Sequence, residues 1–271
     1  MAMIRGTLRK MSTVADNPVA YSLPIGDQAV PLNTLLGDTL RLIYTGQIIC
    51  RACAQRTKKS FGEGYCFRCF STLARCDLCI VKPELCHFAQ GTCREPEWGL
   101  ANCMQPHYVY LANASGLKVG ITRASQIPTR WLDQGAVQAL PILQVQSRHQ
   151  AGLIEVILKQ HISDRTNWRK MLKGEPEQHD LRNQREVLLE RCQEELHNIA
   201  ELSVGAPTIL EEQVREFIYP VLQYPTRVTA LNFDKKPVVE GTLLGVKGQY
   251  LIFDAGVLNI RKFSGYEITV T

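Results

Sequence analysis

The chain has 271 residues, which is enough for two or three compact units with their own cores. Its hydrophobic content of 45% is typical of globular proteins, and its charged content of 21% argues against extended disorder. No apolar run approaches the roughly eighteen residues of a membrane helix, and the first residues lack the apolar core of a signal peptide. We therefore expect a cytoplasmic protein without a membrane partner.

The formal net charge is +5, but the ten cysteines change its meaning. Thiolate ligation of two zinc ions by eight of them would lower the net charge to about +1. Local charge is more informative, because seven Arg or Lys residues and a single acid, Glu63, lie from Arg41 to Arg75. This basic patch is either a phosphate-binding surface or the solvated face of a metal-binding unit.

Residues 1–49 are predicted to form a small N-terminal β region that supports its neighbours. Runs rich in β-branched and aromatic residues alternate there with turn formers. No pattern of reactive side chains stands out in this region. The predicted strands are residues 4–8, 19–23 and 40–49.

A cysteine-rich metal-binding region, residues 50–106, follows. Cys50-x-x-Cys53 and Cys66-x-x-Cys69 each direct two sulfurs at one point, and together they supply the four thiolates of a zinc ribbon. Disulfides are a poor alternative for a chain expected in a reducing compartment. We predict a structural Zn²⁺ at these four cysteines, with no open position for catalysis.

The second group of cysteines is larger than one tetrahedral ion needs. One Zn²⁺ with a spare cysteine is the most economical interpretation, and a cubane iron–sulfur cluster on four cysteines is the alternative. A thioredoxin-like site is disfavoured because no βαβ pattern follows. His107 is either a further ligand or a core histidine beside the next strand. The cysteines of this group are Cys76, Cys79, Cys86, Cys93 and Cys103.

A central α/β domain is predicted over residues 107–176, beginning with a hairpin. Tyr108–Ala112 and Leu117–Thr122 are its predicted strands, because both are rich in β-branched or aromatic residues. The polar segment Asn113–Gly116 between them contains the glycine that a tight turn favours.

Two helices and a further strand complete the predicted domain. The first helix is expected near Pro128, with Gly135 as its stop. A strand over residues 139–146 would return to the sheet. The second helix is predicted over residues 149–162, where apolar side chains recur at helical spacing.

The side chains on the hairpin and on the two helices resemble the core of the GIY-YIG endonucleases. Tyr108-Val109-Tyr110 is similar to the first motif of that family, and Lys118-Val119-Gly120 is similar to the second. Arg130 matches its helical Arg, and Glu155 matches its Glu. Tyr108 stands where the first motif usually has Gly, and Lys118 replaces a Tyr, as in some branches of the superfamily. The resemblance covers roughly residues 107–175.

The resemblance implies a metal-dependent endonuclease that cleaves phosphodiester bonds. Tyr110 would orient or deprotonate the attacking water, and Lys118 would hold its phenolate form. Arg130 would donate a two-pronged pair of hydrogen bonds to phosphate, and Glu155 would hold one Mg²⁺ or Mn²⁺. Helical periodicity alone instead assigns Glu155 to a surface pair with Lys159.

Two other classes of protein fit the same sequence. The altered motifs and the flanking units suit a non-catalytic RNA- or ribosome-associated binding factor, which would bind nucleic acid without cleaving it. A protein-interaction scaffold would bind no nucleic acid at moderate salt. The nucleic-acid interpretation leaves DNA and RNA both open as partners.

A helical linker is predicted over residues 177–220. Glu177–Leu202 carries an apolar stripe at helical spacing, and Cys192 on that stripe is assigned to the core. A second helix is expected over residues 209–217, after Pro207.

Short strands punctuated by Gly and Asp predict a small SH3-like β-barrel over residues 221–271. Five basic residues there, from Lys235 to Lys262, form a basic face or are scattered solubilising charges. The whole chain is thus expected to be an α+β protein, and it resembles an uncharacterised bacterial family of cysteine-rich proteins. The predicted strands are residues 228–233, 238–246, 249–253, 256–261 and 267–270.

Overall fold

The computed structural model of the protein describes residues 3–202 and 205–271. The β-strands of this part of the chain form three antiparallel sheets. In chain order they are β1 (Ile4–Thr7), β2 (Ser12–Val14), β3 (Ala20–Ile25), β4 (Gln28–Pro31), β5 (Thr39–Ile49), β6 (Arg56–Thr57), β7 (His107–Asn113), β8 (Leu117–Arg123), β9 (Gln138–Val145), β10 (Thr208–Ile209), β11 (Arg215–Glu216), β12 (Val238–Lys247), β13 (Tyr250–Phe253), β14 (Gly256–Asn259) and β15 (Tyr266–Val270).

The α-helices are short, and side-chain caps begin several of them. Ser147 caps one helix, its hydroxyl accepting a hydrogen bond from the Gln150 N–H at 3.2 Å. Gly135, with φ +70°, follows the end of another helix, as the sequence predicted. The helices are α1 (Phe67–Thr72), α2 (Pro96–Asn102), α3 (Thr129–Asp133), α4 (Arg148–Leu158), α5 (Trp168–Met171), α6 (Leu181–Arg191) and α7 (Gln193–Leu202).

The largest sheet joins the two ends of the chain. Its order is β1-β15-β5-β12-β13-β14, with β6 attached to β5. Ile4 pairs with Val270, and Val238 pairs with Ile43. Strands β1 and β5 of the predicted N-terminal region therefore share one open sheet with β12–β15, which were predicted to form a separate barrel, whereas β3 lies in a third sheet of order β2-β3-β4. No barrel is closed among the described residues. The prediction was wrong because pairing between such distant segments leaves no local sequence signal.

The central sheet contains the predicted hairpin. Its order is β10-β9-β7-β8, and β11 also pairs with β9. Tyr110 on β7 lies opposite Gly120 on β8. Side chains alternate between the two faces, so Val109 and Val119 pack against α4 and the helices beyond it. The opposite face of the sheet packs against α3 and the large sheet. Strand β8 is left at the edge of this sheet.

The linker differs from its prediction in two places. The predicted long helix divides at Cys192 into α6 and α7, and Cys192 is fully buried, as expected. Residues 209–217 form no helix; they run beside β9, where β10 and β11 pair with it. The Leu210 and Phe217 N–H groups donate to carbonyls of that strand region, at 3.0 and 2.9 Å. Backbone groups along the edge of β9 provide hydrogen-bond partners for residues 209–217, whereas a short isolated helix would be marginally stable in water.

Of the two alternatives for the five basic residues of the C-terminal strands, a shared basic face is excluded for Lys247. Lys247 is fully buried, and its ammonium group donates to the Gly174 carbonyl at 3.1 Å and lies over the rings of Tyr219 and Tyr224. Burial lowers the pKa of Lys247 to about 8. Residues 228–233 form no regular strand either. No helix in the described part of the chain has the length and apolar character needed to cross a bilayer.

Candidate functional site

A cleft of about 470 Å³ runs along the edge strand β8. Helix α3 approaches the edge from one face of the sheet and α4 from the other, so side chains from both faces meet there. The cysteine-rich region and the large sheet close the remaining sides. All four residues proposed from the GIY-YIG resemblance line this cleft. Its charged lining residues are Lys10, Glu63, Lys118, Arg123, Arg130, Asp133, Arg148, Glu155, Asp164 and Arg261.

Tyr110 forms the floor of the cleft. Its side chain is fully buried, and its hydroxyl donates to the Gln134 side-chain carbonyl at 3.1 Å. A Cβ atom at Gly120 would lie 2.6 Å from that hydroxyl, so the cross-strand glycine provides the space that the phenol occupies. Burial raises the pKa of Tyr110, although the charge of Arg130 opposes that rise. The expected phenolate held by Lys118 therefore does not fit this site: at neutral pH Tyr110 is a neutral hydrogen-bond donor.

Lys118 lies on the same face of the sheet, two residues before Gly120. The chain after α4 runs beside it, because the Val119 N–H donates to the Ser163 carbonyl at 2.8 Å. This backbone contact brings Asp164 to the cleft wall. Lys118 is 4% exposed, and burial followed by repulsion from Arg130 lowers the pKa of Lys118 to about 8.

Arg130 is positioned by the residue next to it. Trp131 is fully buried and packs edge-on against Tyr110, with ring centroids 5.9 Å apart, and also against Phe217 at 6.2 Å. Asp133, at the end of α3, accepts hydrogen bonds from Lys10 at 2.6 Å and from Gln249. The packing of Trp131 and the hydrogen bonds of Asp133 thus hold this short helix in place, and Arg130 on it lines the cleft.

Helix α4 contributes Arg148 and Glu155, which are two helical turns apart and so share one side of the helix. Burial, followed by repulsion from Asp164, raises the pKa of the Glu155 carboxyl. The positive charge of Lys159 is near enough to oppose that rise. Glu155 therefore lines the cleft and also lies close to Lys159 on its own helix. Carboxylate oxygens are the ligands that Mg²⁺ and Mn²⁺ prefer, and Glu155 with Asp164 offers two such groups.

Three cations of the cleft have no ion-pair partner in the described part of the protein, whereas Lys10 pairs with Asp133 and Arg261 pairs with Glu63. Within residues 3–202 and 205–271, Lys118, Arg130 and Arg148 form no ion pair. Partly desolvated cations without a carboxylate partner favour an anionic ligand, since a bound anion recovers the lost charge stabilisation. The cleft therefore combines a place for a phosphate-sized anion with carboxylates that can hold a hard cation.

Arg148 and Asp164 are among the cleft residues that the sequence analysis did not single out. Arg148 could have been found, because it stands seven residues before Glu155 and directly precedes the helix predicted over residues 149–162. Asp164 had no such signal. It reaches the cleft through the backbone pairing of Ser163 beside Lys118, which is a tertiary contact.

The first four cysteines form a compact cluster at the start of the cysteine-rich region. The sulfurs of Cys50, Cys53, Cys66 and Cys69 all lie within 4.8 Å of one another. The Cys53 and Cys66 sulfurs are 3.8 Å apart. A tetrahedral site with Zn–S bonds of about 2.3 Å has sulfur–sulfur edges of about 3.8 Å, so this cluster can bind zinc.

Hydrogen bonds to sulfur also prepare this cluster for a cation. Burial raises the pKa of the Cys50 thiol, but backbone N–H groups of Cys53 and Cys66 outweigh it and bring that pKa down to about 6. Cys66 caps α1 by accepting a hydrogen bond from the Cys69 N–H. Thiolates are the form that binds metal, so the local backbone favours ligation at Cys50. At Cys69, by contrast, burial and the neighbouring thiols of the cluster raise the pKa to about 12.

The second group of cysteines separates into two parts. Cys79, Cys86, Cys93 and Cys103 line one small cavity. Cys76 does not line it, and its thiol instead has Cys50 as a charged neighbour. His107 is also apart from the cavity: it is fully buried, and its Nδ1 atom lies 2.7 Å from the Gln105 carbonyl. The core interpretation of His107 therefore fits, and Cys76 is the one cysteine of the second group that does not line the cavity.

The fold and these clusters define a mixed α/β protein with several sheets and a four-cysteine cluster that can bind zinc. A family model described as "Protein of unknown function (DUF2797)" matches residues 37–268. The chain therefore belongs to this uncharacterised family, as the sequence led us to expect. Comparison with curated proteins gave no match, and neither did comparison with solved structures.

Proposed function

We propose that the cleft binds the phosphate backbone of a nucleic acid and, with a divalent cation, hydrolyses a phosphodiester bond. The observation that supports this proposal is the meeting of three unpaired cations, Lys118, Arg130 and Arg148, with the Glu155 carboxylate in one cleft. The similarity of these residues to the GIY-YIG motifs points to the same chemistry. Glu63, within the segment that carries the basic patch and the four-cysteine cluster, lines the cleft, so basic residues of that segment would extend the contact with a polyanion.

Each side chain has a role that follows from its position. Arg130 donates two hydrogen bonds to non-bridging phosphate oxygens, and Lys118 and Arg148 add charge that grows in value as the phosphoryl oxygens become more negative. Glu155, with Asp164 beside it, would hold Mg²⁺ or Mn²⁺. The cation's chemistry there is to offset charge on the phosphate and to favour deprotonation of the attacking water. Tyr110 remains protonated and orients the Gln134 side chain, to which it donates its hydrogen bond.

Binding without cleavage is the second candidate function. The observation that favours it is the full burial of Tyr110 and its raised pKa, which remove the phenolate base that the family resemblance implied. Both candidates predict salt-dependent binding of DNA or RNA, including ribosomal RNA, and only the first predicts cleavage. Incubation of labelled single- and double-stranded DNA and RNA with Mg²⁺ or Mn²⁺ separates them.

Arg130→Gln is expected to weaken nucleic-acid binding by about 10- to 100-fold, because a charge-assisted hydrogen bond is worth about 1.5–3 kcal/mol. The magnitude of the slope of log affinity against log salt concentration should also fall by about 1, the value expected for loss of one phosphate contact. Fluorescence anisotropy over a range of salt concentrations measures both quantities. Arg182→Gln, an exposed residue of α6 outside the cleft, is the matched control and should keep the wild-type slope. Equal slopes for both variants would rule out phosphate binding by Arg130.

Binding of nucleic acid is also expected to weaken as the pH rises through about 8, the pKa of Lys118. Below that pH the amine is a cation that attracts phosphate, and above it the amine is neutral. Bound phosphate favours the cation, so the step in the complex should lie at or above the pKa of the free protein. Titrations from about pH 6 to 10, without divalent cations, measure this step. Lys118→Arg keeps its charge, so a step of the same size in that variant would show that another group titrates.

A further inference from the structure

We propose that the second group of cysteines binds a [4Fe–4S] cluster beside the cleft. This inference does not depend on the proposed function. Each thiol would lose its proton to solvent as its sulfur bonds to one iron. Two ferrous ions, two ferric ions and four sulfide ions would come from solution, so the cubane core forms without a change of oxidation state. The ligands are Cys79, Cys86, Cys93 and Cys103.

The spacing of the sulfurs separates this site from a single-ion site. The groups with three or more ligand atoms within 4.8 Å of one another in the described chain are the zinc cluster and the trio Asp77, Cys79 and His87. The sulfurs of Cys86, Cys93 and Cys103 are thus too spread to share one ion with Cys79. They are nevertheless neighbours, because all four cysteines line one small cavity. In a cubane each sulfur binds a different iron, so the ligands surround the cavity without touching one another.

The cavity has the apolar surroundings that such a cluster needs. Phe88, Trp98 and Ile80 line its walls beside the sulfurs. Helix α2 packs closely against it, because a Cβ atom at Gly99 would lie 2.9 Å from the Phe88 ring and 3.2 Å from the Cys93 sulfur. An apolar shell limits access of water and oxygen to the metal.

The compact trio of Asp77, Cys79 and His87 is a weaker candidate for a metal. Asp77 accepts from Arg94 at 2.8 Å and lies 3.3 Å from the His87 ring. The other ring nitrogen of His87 lies 2.8 Å from the Thr92 hydroxyl. Both side chains are therefore engaged with protein groups. Among the four cysteines of the cavity, Cys93 donates a hydrogen bond to the Glu95 carbonyl at 3.6 Å, a contact that is given up when the thiol loses its proton.

A cluster here would also fix one wall of the cleft. The Arg148 N–H donates to the Cys103 carbonyl at 2.8 Å, and its guanidinium donates to the Ile80 carbonyl at 2.6 Å. Ile80 lines both the cysteine cavity and the cleft. Loss of the cluster would therefore release the backbone that positions Arg148. Whether that release weakens phosphate binding is the one point of this inference that depends on the proposed function of the cleft.

The test is metal analysis of the full chain after anaerobic reconstitution with ferrous iron, ferric iron and sulfide. We expect about four iron and four sulfide per chain together with one zinc, and the visible absorption of a cubane cluster. Two zinc ions and no iron would overturn the assignment, and so would iron without acid-labile sulfide. This measurement needs no variant, so it does not depend on whether a variant folds.

Two serine variants locate the cluster. Cys93→Ser should lose most of the iron and sulfide and keep the zinc, because Cys93 faces the cavity. Cys76→Ser is the matched control: Cys76 is near in sequence but does not line the cavity, so iron and zinc should both stay bound. Iron lost equally from both variants would contradict the ligand set. Because no nucleic acid is present, failure here is distinct from failure of the proposed hydrolysis.

Discussion

Replacement of Glu155 by Gln is expected to abolish phosphodiester cleavage, lowering its rate by about 100-fold or more. Loss of a group that only supports a metal ligand costs about 10- to 100-fold, so loss of the ligand itself should cost at least as much. Glutamine keeps the shape of the side chain and removes its negative charge. Burial disfavours that charge, as the raised pKa of Glu155 indicates, so the fold should be retained without it. Cleavage is measured on a labelled substrate under excess Mg²⁺ or Mn²⁺.

A measurement of nucleic-acid binding distinguishes a catalytic role of Glu155 from a structural role. Without divalent cations, Glu155→Gln should bind nucleic acid as tightly as the wild type or more tightly, because a negative charge has left the cleft. Glu190→Gln, an exposed residue of α6, is the matched control and should keep both activities. Unchanged cleavage by Glu155→Gln would exclude this residue as the metal ligand. Lost binding together with lost cleavage would mean that the cleft itself had been disturbed.

The second large effect is expected at the zinc cluster, where Cys66→Ser should remove the metal and loosen residues 50–76. Structural zinc contributes an apparent binding free energy of about 10–16 kcal/mol in small zinc domains, and three remaining thiolates hold it far less tightly. Cys66 also caps α1, so its loss removes a second local constraint. Elemental analysis reports the zinc, and hydrogen exchange reports the order of this segment.

The large sheet should survive the loss of zinc. Its strand β5 pairs with β15 and β12 over most of its length. Of its strands, β6 alone belongs to residues 50–76, the segment that carries the four cysteines. Exchange protection should therefore fall in residues 50–76 and persist in β5. Cys76→Ser should retain zinc and protection, since Cys76 lies outside the four-sulfur cluster. Full zinc content in Cys66→Ser would refute the assignment of this ligand.

Local patterns in the sequence predicted the elements that are short-range in the fold. The β7–β8 hairpin, the helix that carries Glu155 and the glycine stop at Gly135 all depend on neighbouring residues. The pair of CxxC turns likewise identified the compact cysteine cluster, because two such turns have few ways to arrange four sulfurs. The motif resemblance brought together four residues that do line one cleft.

Only the tertiary structure decided how these pieces combine. The pairing of Ile4 with Val270 joins the chain ends in one sheet, and the backbone contact of Ser163 brings Asp164 beside Lys118. The burial of Tyr110 and the cavity shared by four cysteines also arise from packing between distant segments. Periodicity reports which side of an element is apolar, but not which partner covers it. Those partners set the burial and the charged neighbours of each group, and through them its chemistry.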